Sequence, residues 1–580
     1  MNLSSTIKSI QDIMRKDDGV DGDAQRIGQL TWMLFLKVFD QREEEWEDDA
    51  ADKGKTYQSP LPEECRWRNW AAYVDGKPQI AAHELIAFVN ELIQKLKEID
   101  VADDPKKKVI RQVFEDSNNY MKSGTLMLGV IEKLEEAVNF HDFKTRQHLG
   151  DIYEQILNDL RSAGNAGEFY TPRAITQFMV HMVNPSLDKR ETVLDPACGT
   201  GGFLTAAIDH LRGQLTKKSG TDEEKAIEES IFGIEKKQLP HLLCTTNMLL
   251  HGIDVPSQIE HRNTLAKPWN EWTLNERVDC VITNPPFGGM EDDGVGSDFP
   301  AEVRTRETAD MFLTLIVKKL LKNGGRGAVV LPDGTLFGDG VKAKIKKILL
   351  EECNLHTIIR LPNGVFAPYT SIKTNLLFFT KGKPTETIWF YEHPYPEGYK
   401  SYSKTKPIRL EEFDAEKAWW GKEENDFAER EESERAWKID FKTMKEEAEA
   451  KAKPHWNKAE DLNNEASAVD GQIKDLRDSI KRVKDAEKRK PVEDRMAELK
   501  EQADKLRQEA RDAQAAGDRL YWPIYNLDIK NPNAPEEETH DPDVLLEKYK
   551  KLLADIEETQ ELLKNELAAA LAHHFESEVD

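Results

Sequence analysis

Cysteine is scarce: five in 580 residues (Cys65, Cys198, Cys244, Cys280 and Cys353), scattered and without a CxxC pair. An odd number of isolated thiols argues against a disulfide framework and a structural zinc site, and for a reducing compartment. Long apolar runs are missing as well. No stretch reaches the ~18–20 residues a membrane span needs. The opening MNLSSTIKSIQDIMRKDD lacks an apolar core before a small-residue cleavage site, so no secretory signal is expected. Together these absences predict a soluble, cytoplasmic protein.

Positive charge is in deficit, with 81 Lys and Arg against 107 Asp and Glu and a net charge of −26. A protein that grips DNA unaided usually shows a basic surface, because neutralising phosphates supplies most non-specific affinity. Either this chain does not touch nucleic acid, or a partner supplies much of the grip. The phosphate-cradling GxxxxGK[ST] pattern is also absent, so no ATP-driven motor of that type is present.

What is there falls into three textures, in keeping with the two to four units expected at this length. Residues 1–165 read as helical: RIGQLTWMLFLKVF places Ile27, Leu30, Leu34 and Val38 on one stripe, and HELIAFVNELIQKLKEI and LMLGVIEKLEEAV repeat the style. Over 166–400, short apolar runs ending in turn residues alternate with helical stretches: TVLDPACGTGG, SIFGIEKKQ, VDCVITNPPFGG, GRGAVVLPDG, HTIIRLPNG and KTNLLFFTKG. Such runs predict a mostly parallel sheet covered by helices on both faces, with a ligand site at the carboxyl ends of its strands. Over 401–580 the chain is charged and helical. Leu462, Ala466, Val469, Ile473, Leu476, Ile480 and Val483 form a heptad seam, and Val492, Met496, Leu499, Ala503 and Leu506 resume it beyond Pro491. This predicts two helices, broken at the proline, folding into an antiparallel hairpin. Leu545, Tyr549, Leu552 and Ile556 make a last seam, read either as self-packing or as a docking arm.

Three loops carry chemistry. VLDPACGTGGF delivers Asp195 from a strand, then Gly199, Gly201 and Gly202 let the backbone turn before a helix whose N-terminus favours an anionic group. IFGIE ends at Glu235, placed to take both hydroxyls of a ribose. With the glycine turn it points to an adenosine-containing cofactor. VITNPPF then presents Asn284 at a strand end. Its amide oxygen and the Pro285 carbonyl are two acceptors on a loop that Pro285 and Pro286 stiffen and strip of N–H donors. Such a pair suits an exocyclic NH2, and Phe287 offers a face for a planar base.

GEFYTPR, DPACGTGGF, GIEKKQ, NTL, NPPF, LPDG and KTNLLFF, in this order, resemble the adenine-N6 DNA methyltransferases. With helical regions on both sides, the likeness is to the modification (M) subunit of type I restriction–modification systems. The resemblance implies an α/β Rossmann-like methyltransferase domain between an all-helical N-terminal domain and a helical, coiled-coil C-terminal region for subunit docking. It implies S-adenosyl-L-methionine as cofactor and no metal. By position, Glu168, Phe169, Tyr170, Thr171, Pro172 and Arg173 would cover the methionine end, Asp195, Cys198, Gly199, Thr200 and Gly201 would line the glycine-turn pocket, and Glu235 would hold the ribose. Asn263 would reach toward cofactor or target, although Arg262 stands where this family would carry a glycine. Asn284, Pro285, Pro286 and Phe287 would orient and stack a flipped-out adenine, with Tyr369 near a further wall. The implied partners are double-stranded DNA, a specificity (S) subunit, a second M subunit and a motor–nuclease (R) subunit. Two other readings stay open on the residues alone: methylation of a protein glutamine, and a scaffold that has lost catalysis.

Overall fold

The computed structural model describes residues 3–102, 104–137, 170–216, 220–367, 369–403, 405–482, 486–533 and 542–576. Glu168, Phe169 and Val483 lie outside them. The chain divides into a large unit, residues 1–432 with 436–530, and a small one, residues 433–435 with 531–580.

In the large unit the N-terminal segment is helical, with helices Leu3–Met14, Asp23–Asp52, Ala82–Lys97, Pro105–Phe114 and Gly124–Ala137. The apolar stripe of the second helix buries Ile27, Leu30, Leu34 and Val38 in one core with Leu85, Ile110 and Met127. A helix from beyond this segment, Gln238–Leu250, enters the same core through Leu242, Leu243, Leu249 and Leu250. Its opposite face, Cys244 and Met248, belongs to the core under the sheet.

That sheet has nine strands in the order β3-β2-β1-β4-β5-β7-β6-β8-β9. They are β1 Val193–Asp195, β2 Ile231–Glu235, β3 Ile259–His261, β4 Val278–Thr283, β5 Leu321–Pro332, β6 Cys353–Arg360, β7 Thr374–Lys381, β8 Thr387–Glu392 and β9 Ala436–Asp440. β3 through β5 are parallel along this order, as is the β6–β8 pair. β7 runs antiparallel between β5 and β6, and β9 antiparallel to β8. The sheet is therefore mixed but mostly parallel. Its chain order reverses between β1 and β4, where the crevice at the strand ends opens.

The hairpin forms as the seam predicts. Helices Phe441–Ile480 and Ala486–Tyr521 bury Val469, Ile473, Leu499 and Ala503 against one another. Their antiparallel sense is fixed by Trp456 Nε1 donating to Asp518 at 3.0 Å near one end and by the Arg507–Asp470 ion pair farther along. The break differs from expectation: it falls between Ile480 and Ala486, and Pro491 sits inside the second helix. A helix-interior proline costs about 3 kcal/mol, which the long packed seam offsets. The small unit holds the helix Pro542–Glu576.

Candidate active site

The tips of β1, β2 and β4 meet at a cavity of ≈ 260 Å³ lined by Thr171, Asp195, Cys198, Gly199, Thr200, Glu235, Lys236, Asn284, Pro286, Glu291 and Thr308, among others. Its floor is the glycine turn. Gly199 and Gly201 take φ of +53° and +83°, a region side chains rarely adopt. A Cβ on Gly201 would also stand 2.8 Å from Cys244 Sγ, so this glycine serves the turn and the close approach of Gln238–Leu250 rather than the cavity wall. Cys198 is buried with its thiol 3.7 Å from that of Cys244, and the neighbouring thiol and burial both push its pKa up. It packs as a small neutral residue.

Two acids stand at the strand tips. Asp195 is fully buried, and its Oδ1 accepts from Thr283 Oγ1 at 2.6 Å and from the Ala197 N–H at 3.1 Å. Burial outweighs these bonds and lifts its pKa to about 7. Glu235 Oε2 accepts from the Gly199 N–H at 2.9 Å and Oε1 from the Lys237 N–H at 2.7 Å. Burial raises its pKa while the backbone donors oppose the rise. A carboxylate offers about four lone-pair sites, so each oxygen keeps acceptor capacity for a hydroxyl.

At β4 the Asn284 amide donates through Nδ2 to Thr171 Oγ1 at 3.0 Å, whereas Oδ1 is buried and accepts from no group among the described residues. A buried acceptor left bare costs roughly 1–3 kcal/mol, so this end of the amide can take a donor from outside the chain. Phe287 stands on the same loop, edge-on to Phe366 with ring centroids 5.8 Å apart. Phe366 is thus an aromatic from that region that faces the loop.

The remaining expected residues sit as follows. Tyr170 is buried and, with Thr171 and Arg173, borders a small recess beside the glycine turn. Pro172 caps the helix Arg173–Val183, and Arg173 pairs with Asp209 at 3.8 Å. Pro285 is buried beside the wall that Pro286 forms. Asn263 has both amide ends engaged, accepting from the Leu265 N–H at 3.0 Å and donating to Glu291 Oε2 at 3.0 Å. Thr283, Lys236, Glu291, Thr308 and Phe366 complete the site without having been singled out in sequence. Thr283 and Lys236 adjoin quoted motifs and could have been found there. Glu291, Thr308 and Phe366 arrive through tertiary folding and leave no local signal. Asp333 of LPDG accepts from Asn375 Nδ2 of KTN at 2.6 Å, joining two motifs across the β5–β7 pair. Among the described residues no His, Cys, Asp or Glu cluster could hold a metal ion.

A glycine turn, a ribose-ready carboxylate and an amide with one bare acceptor share a single cavity, and these residues fit S-adenosylmethionine beside an amine. The class is that of the S-adenosylmethionine-dependent methyltransferases acting on nitrogen. Residues 144–465 match the family described as N-6 DNA Methylase, and residues 3–134 match the HsdM N-terminal domain. The chain is 51% identical over 575 residues to the type I restriction enzyme EcoEI methylase subunit of Escherichia coli, covering 99% of each. It is 30% identical to the EcoKI methylase subunit of E. coli strain K12, covering 63% of this chain and 66% of that one. A solved chain from a study of complex assembly and conformational transition of the type I R-M system aligns with TM-score 0.68 and 33% identity, over 97% of this chain and 98% of that one. The protein belongs to the N-6 DNA methylase family, as the methylation subunit of a type I restriction–modification system. It is an adenine-specific, S-adenosylmethionine-dependent DNA methyltransferase by family, which favours DNA over a protein glutamine as the substrate.

Proposed function

We propose that the cavity at the β1–β2–β4 tips is where a methyl group passes to N6 of an adenine flipped out of double-stranded DNA. The observation that carries this is Asn284 Oδ1, buried and without a donor among the described residues. Asn284 Oδ1 and the Pro285 carbonyl each accept one N–H of the amine, while Nδ2 of the same amide is held by Thr171 Oγ1. Holding both N–H groups draws the nitrogen lone pair out of the ring and toward the methyl. Phe287 stacks on the base, repaying part of the few kcal/mol that flipping costs. S-adenosylmethionine supplies the activated methyl on its sulfonium. Glu235 accepts from the ribose hydroxyls, the glycine turn lets the backbone approach, and the segment Tyr170–Arg173, with Glu168 and Phe169 before it, covers the methionine end.

Three segments divide the work: residues 1–165 as a helical N-terminal domain, 166–400 as the methyltransferase domain and 401–580 as the docking region. With a net charge of −26 and no recognition module evident in the sequence, base-edge readout is delegated to a specificity subunit. Two copies of this chain serve one such subunit, a motor–nuclease subunit joins for restriction, and the assembly works in the cytoplasm. Helix Pro542–Glu576 exposes Tyr549, Leu552 and Ile556 and serves the docking.

The test is to recover the protein from its host with its partners, supply labelled S-adenosylmethionine and unmethylated DNA, and identify the labelled nucleoside. Label on N6-methyladenine that vanishes when the partners are stripped is the expected result. Label in protein alone would overturn the reading.

A further inference from the structure

The mechanism leaves one wall of the cavity unexplained. Glu291 comes from the loop that follows Asn284, yet it is tied to the opposite side of the site. Its Oε2 accepts from Lys236 Nζ at 3.0 Å and from Asn263 Nδ2 at 3.0 Å, one residue just past β2 and the other just past β3. Its backbone is fixed as well: the Glu291 N–H donates to the Arg306 carbonyl at 3.0 Å, and the Arg306 guanidinium donates back to the Glu291 carbonyl at 2.9–3.0 Å. The side chain is only 7% exposed and lines the cavity, and among the described residues its side-chain hydrogen bonds fall on Oε2 alone.

Strand order tells what lies in front of Oε1. With the reacting amine at Asn284 beyond β4 and the ribose at Glu235 beyond β2, the cofactor runs along the row β4, β1, β2. Its base continues past Glu235 toward β3, which is where Lys236 and Asn263 hold Glu291. The 6-amino group of adenine is a donor, and a fixed carboxylate oxygen is its natural acceptor. We infer that Glu291 accepts a hydrogen bond from the cofactor's 6-amino group and selects the adenosyl base, an assignment that rests on the placement of the ribose at Glu235. A 6-oxo purine would set its O6, an acceptor, against the carboxylate where adenine presents a donor. One loop then grips two adenines, the target through Asn284 and the cofactor through Glu291.

The experiment is equilibrium binding of three ligands to the full chain: S-adenosylhomocysteine, its 6-oxo (inosyl) counterpart and its 6-unsubstituted purine counterpart. In the unmodified protein the adenosyl form should bind at least about tenfold more tightly than the inosyl form, with the unsubstituted purine between, the size expected of a charge-assisted hydrogen bond. Glu291→Gln, whose amide can turn to donate as well as accept, should shrink the adenosyl-to-inosyl ratio about tenfold. Because the readout is a ratio within one protein, general weakening of the loop does not mimic it. Equal affinities in the unmodified protein would overturn the inference whatever the variants do, and so would an unchanged ratio in Glu291→Gln. Glu235→Ala should weaken all three ligands alike. If it weakens none, the ribose placement has failed instead.

Discussion

Thr171 Oγ1 accepts from Asn284 Nδ2 at 3.0 Å, and this bond joins the segment ahead of the methyltransferase sheet to the loop after β4. With Nδ2 turned to the threonine, Oδ1 is the end of the amide left for the proposed target amine. Replacing Thr171 by Val keeps the shape and removes the acceptor. The methylation rate should fall about tenfold while S-adenosylhomocysteine affinity stays within about threefold, as expected when a group acts on the reacting geometry. Asn284→Ala removes the acceptor itself and should cost about 10²–10³ in rate, the range seen for a lost transition-state contact. Single-turnover methylation and equilibrium binding, measured side by side, check both.

Glu235 is held by two backbone donors, Gly199 and Lys237. Glu235→Gln keeps its size but weakens the bonds to the ribose hydroxyls and loosens the glycine turn. Cofactor affinity should drop about ten- to a hundredfold, in line with one or two charge-assisted hydrogen bonds. The product at saturating cofactor should still be N6-methyladenine. Titration calorimetry and nucleoside analysis decide it.

Asp195 gives the site a pH signature. Its pKa rises to about 7 in the folded chain from an ordinary value near 3.8. Between those values the unfolded chain has lost this proton and the folded chain keeps it, so stability falls as pH rises from about 4 to 7. Below that window both states are protonated and above it both are charged, so the slope vanishes at each end. Asp195→Asn retains an acceptor for Thr283 and Ala197 and should remove this contribution, at most about 1.4 kcal/mol per pH unit. Melting temperatures of the two proteins should diverge between pH 5 and 7 in favour of the variant. Parallel melting curves would refute the assignment.

The helix Pro542–Glu576 leaves Leu552 62% and Ile556 46% exposed. An apolar stripe of this kind on a charged helix fits the docking role proposed for it. The double substitution Leu552→Asp and Ile556→Asp should leave cofactor affinity unchanged and reduce co-recovery of partner subunits from the host. Pull-down with mass spectrometry, alongside cofactor titration, separates the two effects.

Sequence and structure agree most closely where chemistry is local. TVLD, IFGIE, VDCVIT, GRGAVVLP, HTIIRLP and KTNLLFF overlap or fall within strands of one sheet, and the acids at the tips of the first two line the cavity. Strand, turn and helix follow one another within a dozen residues there, so a short motif contains its own geometry. Other parts of the site depend on the path of the chain. Phe366 reaches Phe287 across nearly eighty residues, and Glu291 is placed by Lys236, Asn263 and Arg306, none of which shares its local pattern. β9 (Ala436–Asp440) lies past residue 400, inside what reads as a charged helical region, because an edge strand needs only one buried face and few apolar residues. Pro491 misleads for the opposite reason: a strong local rule yields to packing along a long hairpin.

The helix Gln238–Leu250 begins three residues after Glu235 and is buried on both flanks, by the N-terminal bundle on one and by the sheet's underside on the other. It works as a keystone wedged between two arches. A catalytic fragment cut to begin at residue 166 would lay Leu242, Leu243, Leu249 and Leu250 open to water, on the element that starts beside the ribose acid. Minimising this enzyme by trimming its front would therefore strip support from the cofactor pocket itself, and a reduced version has to keep the bundle or redesign that flank for solvent.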